Sequence, residues 1–151
     1  MSAALTGLRA RELRGLRWAD IDLKVCELHV RQRASRYCEI GSPKSESSRH
    51  TVPIEPEILL PALKAWKLAC PLSRADLVFP TALGGTAHHE QILRALAPIT
   101  IGAGVVDKAG KPKYALHAFR HFFCRLVHHP EERGGRELPP KVMQDFLGQF
   151  R

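Results

Sequence analysis

An arginine set among leucines, with a carboxylate three residues on, is a pairing that can hold an anion. Arg9 and Glu12 stand in the stretch Thr6-Gly7-Leu8-Arg9-Ala10-Arg11-Glu12-Leu13. If Leu5 to Leu16 is helical, at about 100° per residue, then Leu5, Leu8, Leu13 and Leu16 fall on one stripe, and Arg9 and Glu12 lie inside it. Arg11, Arg14 and Arg17 then face solvent on the opposite side. A guanidinium drawn out of water needs a partner. Two arrangements supply one: a structural Arg9–Glu12 ion pair at a helix start, or an anion site. The spacing accommodates both.

A second stretch, His117-Ala118-Phe119-Arg120-His121, lies about a hundred residues later. Leu116, Phe119, Phe122, Phe123, Leu126 and Val127 predict a broad apolar helix face, which leaves His117, Arg120 and His121 together on the opposite edge. One helical turn then presents two imidazoles and a guanidinium, and with Arg9 the two stretches read as halves of a phosphate clamp. Surface histidines on such a helix are also commonly just solvated. His117 and His121 have the i, i+4 spacing of a zinc pair, but Arg120 between them argues against a nearby dication. His88-His89-Glu90 fails as a zinc-protease motif because Leu93 stands where its second histidine belongs.

These residues need elements to carry them. Trp18 to Leu23 reads as a helix exit, and Lys24 to Arg33 alternates apolar and polar positions in a rough period of two, as a strand does. Tyr37 to Ile40 is a plausible second strand, and Arg49 to Ile54 a third, after the turn signal Gly41-Ser42-Pro43. The expectation is a small, mostly antiparallel three-stranded sheet with Lys44 at its last turn, where a long amine either reaches outward or is simply solvated. Glu55 to Ala69 and about His88 to Ala97 read as helices, and Asp76 to Pro80 as a short buried segment. Gly102 to Lys113 reads as a loop before the His117 helix, and Lys141 to Leu147 as the start of a last helix.

Composition narrows the partners. The 151 residues suit one domain with a real core, and 44% hydrophobic with 25% charged residues is ordinary for a globular chain. No run of about 18 apolar residues occurs and the start lacks signal-peptide order, so no membrane partner is expected. Cys26, Cys38, Cys70 and Cys124 form no C-x-x-C pair, which points to a reducing cytoplasm and to packing or incidental roles. A net charge of +8 favours a polyanion, with counterion release supplying affinity.

In order, the motifs are Thr6-Gly7-Leu8-Arg9-x-x-Glu12-Leu13-x-x-Leu16-x-Trp18-x-Asp20-Ile21-Asp22, Pro43-Lys44-Ser45, Ser48-Arg49-x-Thr51-Val52-Pro53-Ile54, His117-x-x-Arg120-His121 and Leu147-Gly148. This series resembles the tyrosine recombinase (phage integrase) family over nearly the whole chain. The resemblance implies an α+β, mostly α fold: a helical catalytic domain with a small three-stranded antiparallel sheet. It implies double-stranded DNA as partner, a cytoplasmic protein of bacterial or phage origin, DNA recombination and integration as the process, and no metal or other cofactor. In this family a tyrosine attacks a DNA phosphodiester, forming a 3′-phosphotyrosine link and freeing a 5′-hydroxyl. By resemblance, Arg9 and Arg120 hold the non-bridging oxygens. His117 adds a hydrogen bond or shuttles a proton, and Lys44 protonates the leaving oxygen. Glu12 orients Arg9, and His121 buttresses the site.

The chain departs from the family pattern twice. Leu147-Gly148-Gln149 stands where the family has Leu-Gly-His, so Gln149 would offer one neutral hydrogen bond to the phosphate. Neither Tyr37 nor Tyr114 matches the position of the family nucleophile. Residues 1–151 are accordingly expected to be a partial catalytic domain, without the DNA-clasping domain, the first catalytic-domain helices and the tyrosine helix, and inactive in cleavage alone. A full-length protomer could in principle donate a tyrosine. The competing readings are a non-catalytic DNA-binding remnant, a fragment resembling type IB topoisomerases, and a zinc hydrolase on His117 and His121.

Overall fold

A computed structural model describes residues 1–42, 48–130 and 136–148. Two short helices open it, α1 (Ser2–Thr6) and α2 (Ala10–Gly15), and a 3-10 turn (Trp18–Asp20) leads into β1 (Ile21–Asp22). Then come β2 (Glu27–Val30), β3 (Arg33–Ala34), β4 (Ile40–Gly41) and β5 (His50–Pro53), followed by α3 (Leu59–Ala69), α4 (His89–Gly102), α5 (His117–His128) and α6 (Pro140–Leu147). The architecture is α+β: helices around a small antiparallel sheet. Among the described residues no helix is long and apolar enough to cross a membrane.

The single helix expected from Leu5 to Leu16 is broken in two. Gly7 takes a left-handed backbone, φ 64°, and ends α1 there. The Phe123 ring of α5 occupies the space a Cβ on Gly7 would need, so the break is enforced by packing as well as by backbone freedom. The chain restarts at Arg9, whose extended backbone (φ −68°, ψ 149°) makes it the N-cap of α2. Leu8 and Leu16 still reach the core, because the break redirects the chain without turning the leucines outward.

The sheet also differs in membership. Its order is β1-β2-β5, all antiparallel, with Leu28 opposite Val52 and Val30 opposite His50. β1 comes from the segment expected to be a helix exit, while Ile40–Gly41 pairs with Arg33–Ala34 in a separate two-stranded ribbon. Alternation puts Leu28 and Val30 of β2, and His50 and Val52 of β5, on the buried face. Against that face pack Leu8, Leu16, Ile54, Leu59, Leu63 and Val78, each such side chain contributing about 1.5–3 kcal/mol of burial.

Helix α3 starts at Leu59 rather than Glu55 because the Glu55 carboxylate accepts from the N–H groups of Glu57, Ile58 and Leu59, capping the helix from outside. Those bonds hold the Glu55 carboxyl below its ordinary range against the effect of burial. Helix α4 continues through Pro98 to Gly102, beyond its expected end. A smaller cluster of Phe123, Val127 and Leu147 joins α5 to α6, and α6 in turn lies against β5.

Of the arginines expected to be solvated, Arg14 is buried and Arg17 is half-buried and paired. Arg14 is only 3% exposed, donating to the Ala87 carbonyl and to Cys38 Sγ. Arg17 grips the buried Asp20 with two bonds, of 2.8 and 3.2 Å, which raises its already high pKa. With the helix broken, the angular count that placed them opposite the leucines no longer applies.

Candidate functional site

Arg9 is built for display. Its backbone N–H donates to Glu12 Oε2 at 2.7 Å, and its guanidinium Nη1 donates to Glu12 Oε1 at 2.9 Å. Both carboxylate oxygens are therefore engaged with one residue, and the Glu12 side chain is 8% exposed while that of Arg9 is 38% exposed. The ion pair read as one alternative in the sequence exists. It buries the carboxylate and leaves the Arg9 side chain partly exposed, so ion pair and anion site are compatible.

Arg120 lies on the opposite side of α5 from the expected one. It shares the buried stripe with Phe123 and Val127, at i, i+3 and i+7, and is 4% exposed, whereas Phe122 is 52% exposed. The reason is what α5 faces. Arg120 Nη1 donates to the Gly7 carbonyl and Nη2 to the Leu147 carbonyl, each at 2.8 Å. Gly7 is the residue that ends α1 and Leu147 the last of α6, so both acceptors are helix-end carbonyls left without intrahelical partners, at the negative ends of the helix dipoles. One guanidinium thus closes two helix ends that meet beside α5.

The two arginines share one electrostatic neighbourhood. Burial, and then the positive charge of Arg9, pull the Arg120 pKa down, while Glu12 pushes it up. A guanidinium stays charged through such a shift. Arg120 makes no ion pair of its own among the described residues, so Glu12 is the carboxylate that offsets two guanidiniums. The cradle carries one unbalanced positive charge.

His117 and His121, on the first turns of α5, are exposed and meet edge to face with ring centroids 4.8 Å apart. They do not share the inward stripe of Arg120. Among the described residues no three His, Cys, Asp or Glu side chains converge as a metal ligand set. Lys44 and Gln149 lie outside the described residues.

One residue that the sequence reading passed over stands in the same neighbourhood. His50 of β5 is 9% exposed, and the charges that act on it are Glu12, Arg120 and Arg9. Burial is the largest influence and lowers its pKa, and the two arginines act in the same direction. Its ring lies against Gly148, where a Cβ would come within 2.5 Å of Nδ1. The signal was available: in a period-two strand from Arg49 to Ile54, His50 falls on the same face as Val52 and Ile54.

Comparison with known proteins gives a consistent picture. The model of the phage integrase family matches residues 1–148. A tyrosine recombinase XerC-like protein of Caldanaerobacter subterraneus subsp. tengcongensis is 30% identical over 167 aligned positions, which cover 95% of this chain and 39% of that protein. Among solved structures, the Tn1549 transposon integrase in complex with transposon right end DNA superimposes with a TM-score of 0.77 at 23% identity, covering 98% of this chain and 49% of that one. The XerA recombinase gives a TM-score of 0.73 at 22% identity, covering 99% and 47%. The chain spans about two fifths of the curated relative and about half of these solved chains.

Proposed function

Because the chain belongs to the phage integrase family of tyrosine recombinases, we propose that its cradle binds the scissile phosphodiester of double-stranded DNA during site-specific recombination. The observation that carries this reading is the charge balance: two guanidiniums offset by one buried carboxylate leave a single positive charge, matching a phosphodiester monoanion. Arg9 offers the accessible edge of a forked donor set and Arg120 stands behind it. Glu12 orients Arg9 through two hydrogen bonds.

In the reaction this proposal assigns, a tyrosine oxygen attacks phosphorus and the bond from phosphorus to the 5′-oxygen breaks. Arg9 and Arg120 take up the charge that grows on the non-bridging oxygens. Lys44 gives a proton to the leaving 5′-oxygen, His117 hydrogen-bonds the phosphate or moves a proton, and His121 supports that end of the site. Gln149 contributes one neutral hydrogen bond. Neither Tyr37 nor Tyr114 is assigned that attack. The setting is the cytoplasm of a bacterium or of a phage host.

Binding of a labelled DNA duplex, followed by fluorescence anisotropy across a salt series, tests the reading. Arg9→Gln is expected to weaken binding and to lower the salt slope by about one phosphate contact. An unchanged slope would count against Arg9 as a phosphate ligand.

A further inference from the structure

We propose that His50 is a positioning residue of the clamp, which takes up a proton when a DNA phosphodiester settles against Arg9 and Arg120 and so places a further positive charge behind the two arginines. This rests on the phosphate reading of the cradle. Three observations carry it.

The first is the state of the ring. His50 Nδ1 stands 3.0 Å from the Ser48 carbonyl oxygen, and only an N–H can pair with a carbonyl, so Nδ1 holds the proton and Nε2 the lone pair. That Nε2 is buried and has no hydrogen-bond partner among the described residues. An unpaired buried acceptor is costly, and its free lone pair is the place at which the ring can take up a proton.

The second is what surrounds it. The charges that act on the ring come from Arg9 and Glu12, of α2 and its cap, and from Arg120 of α5. The residue paired with it on β2 is Val30 and Gly148 at the end of α6 lies against the ring, neither of which titrates, while Arg17, His29, Arg31 and Arg49 share with His50 the lining of an open pocket. With one carboxylate shared between two arginines, burial and the arginines' repulsion favour the neutral ring. An oxyanion offsets the arginines, after which Glu12 is the charge the ring chiefly senses, and Glu12 favours the protonated form. Proton uptake and anion binding therefore assist each other, as any two linked equilibria must.

The third is rigidity. His50 touches Gly148, the residue next to Leu147 whose carbonyl anchors Arg120. A charge placed on this ring acts on the part of the fold that holds Arg120, with little room for the ring to swing away.

The test is an NMR titration of the 151-residue chain, following the His50 ring Cε1–H signal with and without sulfate, an oxyanion whose charge is constant over the range. The signal is identified by its loss in His50→Asn, which keeps a donor for the Ser48 carbonyl and cannot titrate. Saturating sulfate is expected to raise the His50 pKa by about one unit, with a matching gain of about tenfold in wild-type affinity at acid pH that His50→Asn lacks. Arg9→Gln should abolish the shift. Sulfate binding that leaves the His50 pKa unmoved would overturn the role of His50 and leave the clamp intact. A shift that persists in Arg9→Gln would overturn it too, by placing the anion elsewhere. Failure of the wild-type chain to bind either sulfate or a DNA duplex would remove the clamp itself, and His50's role with it.

Discussion

Arg120→Met removes a buried cation without changing much volume, and it separates two jobs of one side chain. Two charge-assisted hydrogen bonds, to the Gly7 and Leu147 carbonyls, are lost. At about 1.5–3 kcal/mol for each hydrogen bond to a charged group, the loss is about 4 kcal/mol. The opposing gain is relief of guanidinium desolvation and of repulsion from Arg9, the two influences that depress its pKa. Replacing buried charge by apolar volume often recovers part of such a loss, about 1–2 kcal/mol here. The expected net destabilisation is about 2–3 kcal/mol, or about 4–12 °C in Tm for a domain of this size. Arg120→Lys retains the charge, but one ammonium is poorly matched to two carbonyls on separate helices, so an intermediate loss of about 1–2 kcal/mol is expected. Urea unfolding followed by far-UV circular dichroism at pH 7 measures both. If Arg120→Met unfolds at the wild-type midpoint with unchanged slope, the carbonyls at the ends of α1 and α6 do not depend on Arg120, and the structural account of this residue is wrong.

Glu12→Gln raises the charge of the cradle by one, yet DNA affinity should fall several-fold, because a Gln NH₂ group cannot accept from Arg9; tighter binding in the anisotropy assay would show that charge matters and orientation does not. Gly148→Ala places a Cβ at φ 58° and against the His50 ring, costing about 1–3 kcal/mol by strain and overlap, to be read as a drop in urea midpoint. The histidine itself makes stability depend on pH. Its folded pKa lies below the unfolded value of about 6.5, so the unfolded chain binds more protons in that window, and stability falls as pH drops from about 7.5 toward the folded pKa. Urea midpoints in wild type and His50→Asn should converge at acid pH and separate near neutrality. On a nicked suicide duplex, the 151-residue polypeptide should give no covalent band, since Tyr37 and Tyr114 sit in the β3–β4 connection and ahead of α5, away from the family's nucleophile position; a covalent band on a denaturing gel would refute this.

The order of motifs was legible because it depends on residue identity at fixed spacing, and Arg9, Glu12 and Arg120 do act on one another electrostatically. Their faces were less legible. A hydrophobic count scores arginine as polar and sends Arg120 to the solvent edge of α5, but the true question is which group satisfies its donors, and the answer comes from helix ends distant in sequence. The same holds for Arg14, whose acceptors include the Ala87 carbonyl. Gly7 posed a genuine choice between a continuous leucine stripe and a glycine stop. The Phe123 ring, contributed from far along the chain, decides it. β1 is two residues long, too short to show any period. His50 alone was readable in principle, since alternation in β5 already turned it inward.

The manner in which the arginines are satisfied bears on why this site retains charge to offer. A buried guanidinium can be neutralised by a carboxylate, or it can be solvated by carbonyl dipoles that bring no net charge. Arg9 uses the first device, with both Glu12 oxygens on its own backbone and side chain. Arg120 uses the second, with two carbonyls that α1 and α6 would otherwise leave unpaired. Had both arginines carried private carboxylates, the cradle would be neutral and an arriving phosphodiester would have to displace a partner already bound. Had neither, two unscreened cations would oppose folding. The break at Gly7 serves both devices at once: it frees a helix-end carbonyl for Arg120, and two residues later it starts a new helix whose cap is Arg9. A continuous helix through residues 5 to 16 would spend the Gly7 carbonyl on the Arg11 N–H and the Arg9 N–H on the Leu5 carbonyl, so that Arg120 would lose an acceptor and Arg9 its backbone anchor on Glu12.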